Sequence, residues 1–224
     1  MKQHFLTTIA LLAGLFSAAA GSTYTPNIAG FVRVSLNSNL TLVSNPFEVG
    51  FTNGANEVLP ALADGTGLLT WETSAGSYNH LLVSQGTYFN ADSGNPAPAP
   101  VLAPGEGFFI AQPGVVTNLT FVGAVALARG TTNYTSFPQG YSLTGAKLPI
   151  TGRLTTDLHL QIPSTAIVQF YLDGAYSQYS CNAGIWYDAS TQAVVSEPVL
   201  QAGQGFFLFN QASAPILWPQ YLPK

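Results

Sequence analysis

Charge is what this sequence most lacks. Charged residues make up 7% of its 224 positions, against about a quarter in an average globular protein. With 6 Lys+Arg against 10 Asp+Glu and a net charge of −4, no basic stripe is available. That excludes nucleic acid as an expected partner and disfavours anionic membrane surfaces. The hydrophobic content of 47% is too high for a disordered chain. The surface must therefore be made largely of Ser, Thr, Asn, Gln and Gly, which offers little like-charge repulsion between copies. Self-association of an extracellular structural or surface protein is the expectation.

Cysteine is nearly absent as well. The single Cys181 excludes an internal disulfide. Two readings stand: a small buried apolar side chain, or a bridge between chains. A catalytic thiol needs a positioned base, and the local sequence offers none. The two histidines beyond the N-terminus, His80 and His159, are not at metal-ligand spacing. The nearest approach to a nucleophile elbow, Gly140-Tyr141-Ser142-Leu143-Thr144, has Thr where the second Gly belongs. The acids form no close pair of the kind glycoside hydrolysis uses. Asn90-Ala91-Asp92-Ser93-Gly94-Asn95 offers oxygens to calcium but lacks the acid that closes an EF-hand loop. The reading is of a non-enzymatic chain with no cofactor and no metal.

Long hydrophobic runs are missing except at the start. Lys2 precedes an apolar stretch from Phe5 to Phe16, and Ala18 and Ala20 follow in a small-x-small pattern. That order is the signature of a secretory signal peptide over residues 1–20, and the run is too short to span a bilayer. No later run approaches the roughly 18 apolar residues of a transmembrane helix. The mature chain is therefore expected to be secreted, outside the cell or at its surface, with no integral membrane segment.

What is present is an internal repeat. Pro100-Val101-Leu102-Ala103-Pro104-Gly105-Glu106-Gly107-Phe108-Phe109-Ile110 matches Pro198-Val199-Leu200-Gln201-Ala202-Gly203-Gln204-Gly205-Phe206-Phe207-Leu208, 98 residues further on. At the same offset Tyr78 matches Tyr176, Gly86 matches Gly184, and Tyr88-Phe89 matches Trp186-Tyr187. Upstream, Leu40-Thr41-Leu42 aligns with Tyr141-Ser142-Leu143, and Gly30-Phe31-Val32 is aligned with Gly123-Ala124-Val125. These matches divide the mature chain into units 21–122, with an N-terminal arm, and 123–224, joined without a linker. Within each, short β-branched and aromatic runs alternate with turn signals such as Asn53-Gly54, Asp64-Gly65 and Asp173-Gly174. Val32, Val34 and Leu36 share one face of such a run. The predicted fold class is all-β: two tandem diverged β-sandwich or β-barrel-like units. The Gly-x-Gly-Phe-Phe box reads as a turn feeding a strand with large buried aromatics. It lacks the Lys-Ser/Thr ending and following helix of a phosphate loop.

The repeated Leu-x-Pro-Gly-Glu-Gly-Phe-Phe box, with Tyr78, Gly86 and Tyr88 before it, resembles that of uncharacterised exported bacterial β-repeat proteins. The resemblance covers both units and implies export and β architecture; no activity comes with it. Ala202 and Gln204 replace Pro and Glu in the second box, which speaks against an essential role for the Glu106 carboxylate.

Two sets of residues carry functional expectations. Trp71, Tyr78, Tyr88, Trp186 and Tyr187 lie near amides and hydroxyls, so exposed rings among them could stack on a glycan; packing in the core is the competing reading. At the termini, Tyr24, Pro26 and Ile28 belong to a strand-compatible arm, and Trp218 and Tyr221 to a closing strand with nothing after it. Strand addition between the two would build a head-to-tail filament; folding back of both ends onto their own sheets is the alternative. The functional expectation is a secreted structural or surface-assembly protein, with a carbohydrate-binding module as the rival.

Overall fold

A computed structural model describes residues 29–37, 40–114, 118–127 and 130–222. Residues 1–20, expected to be a signal peptide, and Tyr24, Pro26 and Ile28 lie outside the described residues. The first half of the chain supplies β1 (Ala29–Ser35), β2 (Leu40–Ser44), α1 (Ala55–Val58), β3 (Gly67–Glu72), β4 (Ser77–Ser84), β5 (Thr87–Asn90), β6 (Pro96–Ala97), β7 (Gly107–Ala111) and β8 (Asn118–Ala124). The second supplies β9 (Thr132–Phe137), β10 (Gly140–Gly145), β11 (Gly152–Arg153), β12 (Ala166–Leu172), β13 (Ala175–Asn182), β14 (Ile185–Asp188), β15 (Val194–Val195), β16 (Val199–Leu200), β17 (Gly205–Asn210) and β18 (Ile216–Tyr221). Among the described residues the fold is all-β apart from the single turn of α1.

Both halves follow one plan. Each has an antiparallel six-stranded sheet, in the order β2-β7-β3-β4-β5-β6 and β10-β17-β12-β13-β14-β15. In each, the first and last strands form a separate two-stranded ribbon, β1 with β8 and β9 with β18. The ribbon covers one face of its own sheet, and the core fills the space between. Val32, Leu119, Phe121 and Phe108 meet there in the first half; Phe137, Ile216, Trp218 and Phe206 do so in the second. Val32 and Leu36 point inward with Val34 packed beside them, as period-2 alternation requires. Cys181 lies buried in the second core, where desolvation pushes its thiol pKa up.

The β4–β5, β12–β13 and β13–β14 hairpins are closed by two-residue turns. Gln85-Gly86, Asp173-Gly174 and Ala183-Gly184 all have positive φ at both positions, the mirror-image turn geometry that suits the twist of paired strands. Only Asp173-Gly174 carries a recognisable side-chain signal. Gln85 and Ala183 adopt the left-handed region because the strands on either side hold them there.

Register decides which residues correspond. Leu42 lies opposite Phe109 and Leu143 opposite Phe207, so the match of Leu42 with Leu143 holds. The match of Gly30-Phe31-Val32 with Gly123-Ala124-Val125 does not. Gly30 and Gly123 face each other across the β1–β8 ribbon. The counterpart of β1 is β9, because Val34 opposes Leu119 as Phe137 opposes Ile216. Both glycines make room for Phe47: a Cβ on Gly30 would sit 3.4 Å from its ring, and one on Gly123 would fall 2.7 Å from its Cβ. The division expected after Val122 thus falls inside β8, which runs to Ala124. Residues 125–131 connect the halves, with Leu127 buried.

Candidate functional site

The Gly-x-Gly-Phe-Phe boxes are where the two halves meet. Ser44 N–H donates to the Gly203 carbonyl at 2.8 Å, and Gly145 N–H donates to the Gly105 carbonyl at 2.9 Å. Ser44 corresponds to Gly145 and Gly105 to Gly203, so one contact is made twice about an internal pseudo-twofold axis. The bridges Val43–Gln204 and Glu106–Thr144 repeat the same exchange. This is the self-complementary geometry of a symmetric dimer interface, realised inside one chain.

Each residue of the box has a separate task. Gly105 and Gly203 take φ of +83° and +77°, which L side chains avoid. Gly107 and Gly205 allow close approach. A Cβ on Gly107 would lie 2.9 Å from the Thr144 nitrogen, and one on Gly205 2.7 Å from the Val43 oxygen. The paired phenylalanines then divide by strand alternation: Phe108 and Phe206 enter the core of their own half, while Phe109 and Phe207 join Leu42 and Leu143 in a third cluster between the halves. The carboxylate of Glu106 accepts the Ala103 N–H at 3.3 Å, and the Gln204 amide oxygen accepts the matching Gln201 N–H at 2.9 Å. An amide does the same work, so the charge of Glu106 is dispensable to the turn. Burial, with the charge of Glu72 adding to it, pushes the Glu106 carboxyl above its ordinary range against the pull of its Ala103 hydrogen bond.

Around the seam the rings of both halves interlock edge to face. Trp71 stands 5.0 Å from Tyr78, 5.7 Å from Phe207 and 6.4 Å from Tyr141. Its indole N–H donates to the Tyr141 carbonyl at 3.0 Å, and Tyr141 stacks on Phe209 at 4.3 Å. Burial, and then the hydrogen bond and charge of Tyr176, push the Tyr78 phenol up. These two tyrosines are repeat-mates and meet across the pseudo-twofold.

Of the rings expected to stack on a ligand, the structure brings together Trp71 and Tyr78 and withdraws two others. Tyr88 is 6% exposed and Trp186 3% exposed. They occupy matching inward positions on β5 and β14, because the sheet face they share is the one the ribbon covers. Neither presents a ring to a ligand. Tyr187 is half-buried, opposite Ser180 and Val194, and takes no part in the seam cluster among the described residues. Of the assembly candidates, Trp218 is fully buried and its indole N–H donates to the Leu158 carbonyl at 2.7 Å. It fills the second core and offers nothing to a neighbouring copy. Tyr221 is exposed and stacks on His159 at 5.0 Å. In the Asn90–Asn95 loop the Asn90 side-chain oxygen accepts Asp92 N–H, Ser93 N–H and the Ser93 hydroxyl. Asp188 does the same for Ser190 and Thr191 in the second half. The oxygens close a turn in both places.

Sequence reasoning missed the outer faces of the ribbons. Phe31 (71% exposed) pairs with Val122 (60% exposed) on the first ribbon. The matched pair on the second is Tyr134 (60% exposed) with Pro219, and Leu217 is also exposed there. The signal was available: if Val32, Val34 and Leu36 face inward, Phe31 must face out. Comparison with protein-family models, with curated proteins and with solved structures gives no match.

Proposed function

We propose that this chain is a secreted, non-enzymatic structural protein that assembles with its own copies through the outer faces of its two ribbons. The observation that carries this reading is the matched placement of two apolar pairs at equivalent positions of the two halves, Phe31–Val122, both exposed, and Tyr134–Pro219, in which Tyr134 is exposed and Pro219 half-buried. Exposed apolar surface of this kind favours association. A surface with 7% charged residues opposes it weakly. Two similar but non-identical faces on one chain favour a heterologous contact, which propagates head to tail when its rotation does not close a ring. Export is the reading of residues 1–20, and the resemblance of the repeated box to exported β-repeat proteins supports it. The N-terminal arm remains a proposed participant, adding to a ribbon edge by strand pairing.

The test is the mass of the mature chain across a concentration series, by light scattering and electron microscopy. Wild type is expected to form oligomers that lengthen with concentration. Val122→Lys and Tyr134→Lys, both at exposed positions, are each expected to shorten them while leaving the circular dichroism spectrum unchanged. A wild-type chain that stays monomeric at millimolar concentration defeats the reading.

A further inference from the structure

A cleft of about 650 Å³ opens between the halves. One wall is β1 with the start of β2; the other is formed by residues 149–151, the Asp173 turn and the 201–204 loop. We propose that this cleft binds a neutral glycan. The volume lies within the range of small-ligand sites, and domain interfaces are where such sites are found.

The lining leaves an unusual number of polar groups unused. Arg33 is exposed and its guanidinium has no partner among the described residues, where the ion pair present is Arg153–Asp157 at 2.9 Å. One oxygen of Asp173 accepts from the Asn37 amide at 3.1 Å, leaving the other free. The side-chain oxygens of Gln204 and Gln201 accept from Gln201 N–H and from the Thr151 hydroxyl, leaving their NH₂ groups free among the described residues. The free set therefore contains guanidinium and amide donors beside a carboxylate acceptor. A sugar hydroxyl both donates and accepts, so it can use both kinds. Leu172 adds exposed apolar surface against which the C–H face of a sugar can pack.

The other ligand classes fit less well. An apolar ligand would bury these polar groups without partners, at a cost of about 1–3 kcal/mol each. A polyanion gains at Arg33 but is repelled at Asp173, on a chain whose net charge is −4. Arg33 and Asp173 cancel, which suits a neutral partner. The walls are preorganised. Asp173 is held at φ +50° in a two-residue turn, and the Thr151 hydroxyl accepts the Ala202 N–H at 3.0 Å. These two groups need little further ordering on binding. This inference does not depend on self-assembly; it gives the chain something outside itself to hold.

The experiment is calorimetric titration of the mature chain with xylohexaose, cellohexaose and laminarihexaose, with an oligogalacturonate as the charged comparator. At least one neutral oligosaccharide is expected to bind with one site per chain. Arg33→Gln and Asp173→Asn, the latter tolerant of the left-handed turn, are each expected to weaken that binding about tenfold, the scale of a charge-assisted hydrogen bond. Tyr134→Ser, on the far ribbon, is expected to leave it unchanged while impairing assembly. Absence of binding to all three neutral sugars at millimolar concentration overturns the proposal. So does binding that survives both cleft substitutions, or tighter binding of the oligogalacturonate.

Discussion

Replacing Gly205 by alanine probes the seam with one methyl group. Its φ is not in the positive region, so the substitution brings no backbone strain of its own. The added Cβ would sit 2.7 Å from the Val43 carbonyl oxygen and 3.0 Å and 3.1 Å from Leu42 side-chain carbons. Real Cβ atoms essentially never come within 3.0 Å of such a neighbour. The nearest obstacle is backbone, fixed by the pairing of Val43 with Phe108, and cannot rotate away. The halves must separate by several tenths of an ångström, straining the exchanged hydrogen bonds and loosening Phe109 against Phe207. Overpacking of this kind costs about 1–3 kcal/mol. For a domain of this size that lowers Tm by roughly 2–12 °C, at about 2–4 °C per kcal/mol. Thermal unfolding followed by circular dichroism and by tryptophan fluorescence, to which Trp71 at the seam contributes with Trp186 and Trp218, reads the change. Gly184→Ala is the comparison: its Cβ meets nothing within 4 Å, so only left-handed strain of about 1–2 kcal/mol is added, and the Trp71 environment stays as it was. If Gly205→Ala melts like wild type, with unchanged tryptophan emission, the two halves do not depend on this contact and the reasoning fails.

Glu106→Gln is expected to stabilise the chain at neutral pH. Burial puts the folded-state pKa of Glu106 above its unfolded value, so its ionisation costs stability above the raised value, and the cost disappears as pH falls below the unfolded one, near about 4.3. Urea midpoints of variant and wild type should therefore converge in acid, and a variant less stable at neutral pH would contradict this. Phe206→Ala and Phe207→Ala should each cost about 3–5 kcal/mol in different ways: the first lowers the melting of the second half, while the second uncouples the halves and splits the transition seen by calorimetry. Trp186→Ala should likewise cost about 3–5 kcal/mol by opening the second core. Preserved stability in that variant would place the ring outside the core.

Much of the architecture was legible because it rests on local periodicity. Alternation placed Val32 and Leu36 inward, the Gly-x-Gly-Phe-Phe box announced a turn feeding an aromatic strand, and the 98-residue spacing from Pro100 to Pro198 marked the duplication. Asp173-Gly174 named its own turn. Reading failed where two distant strands share one constraint. Gly30 and Gly123 look like repeat-mates because both make room for the same residue, Phe47, which only their cross-strand pairing reveals. Tyr88 and Trp186 look like Trp71 in composition and spacing, yet they lie under the ribbons and Trp71 in the seam. An alternating strand states that its two faces differ, and cannot state which neighbour covers each. The sequence by itself determined the strands, the turns and the presence of two copies of one plan, because these follow from dihedral preference and period-2 patterning. Only the tertiary structure decided that one phenylalanine of each box serves its own half and the next joins the cluster between the halves, that the closing ribbons expose Phe31 and Tyr134, and that a polar cleft lies between the halves, because each of these depends on which surfaces far apart in the chain come to face one another.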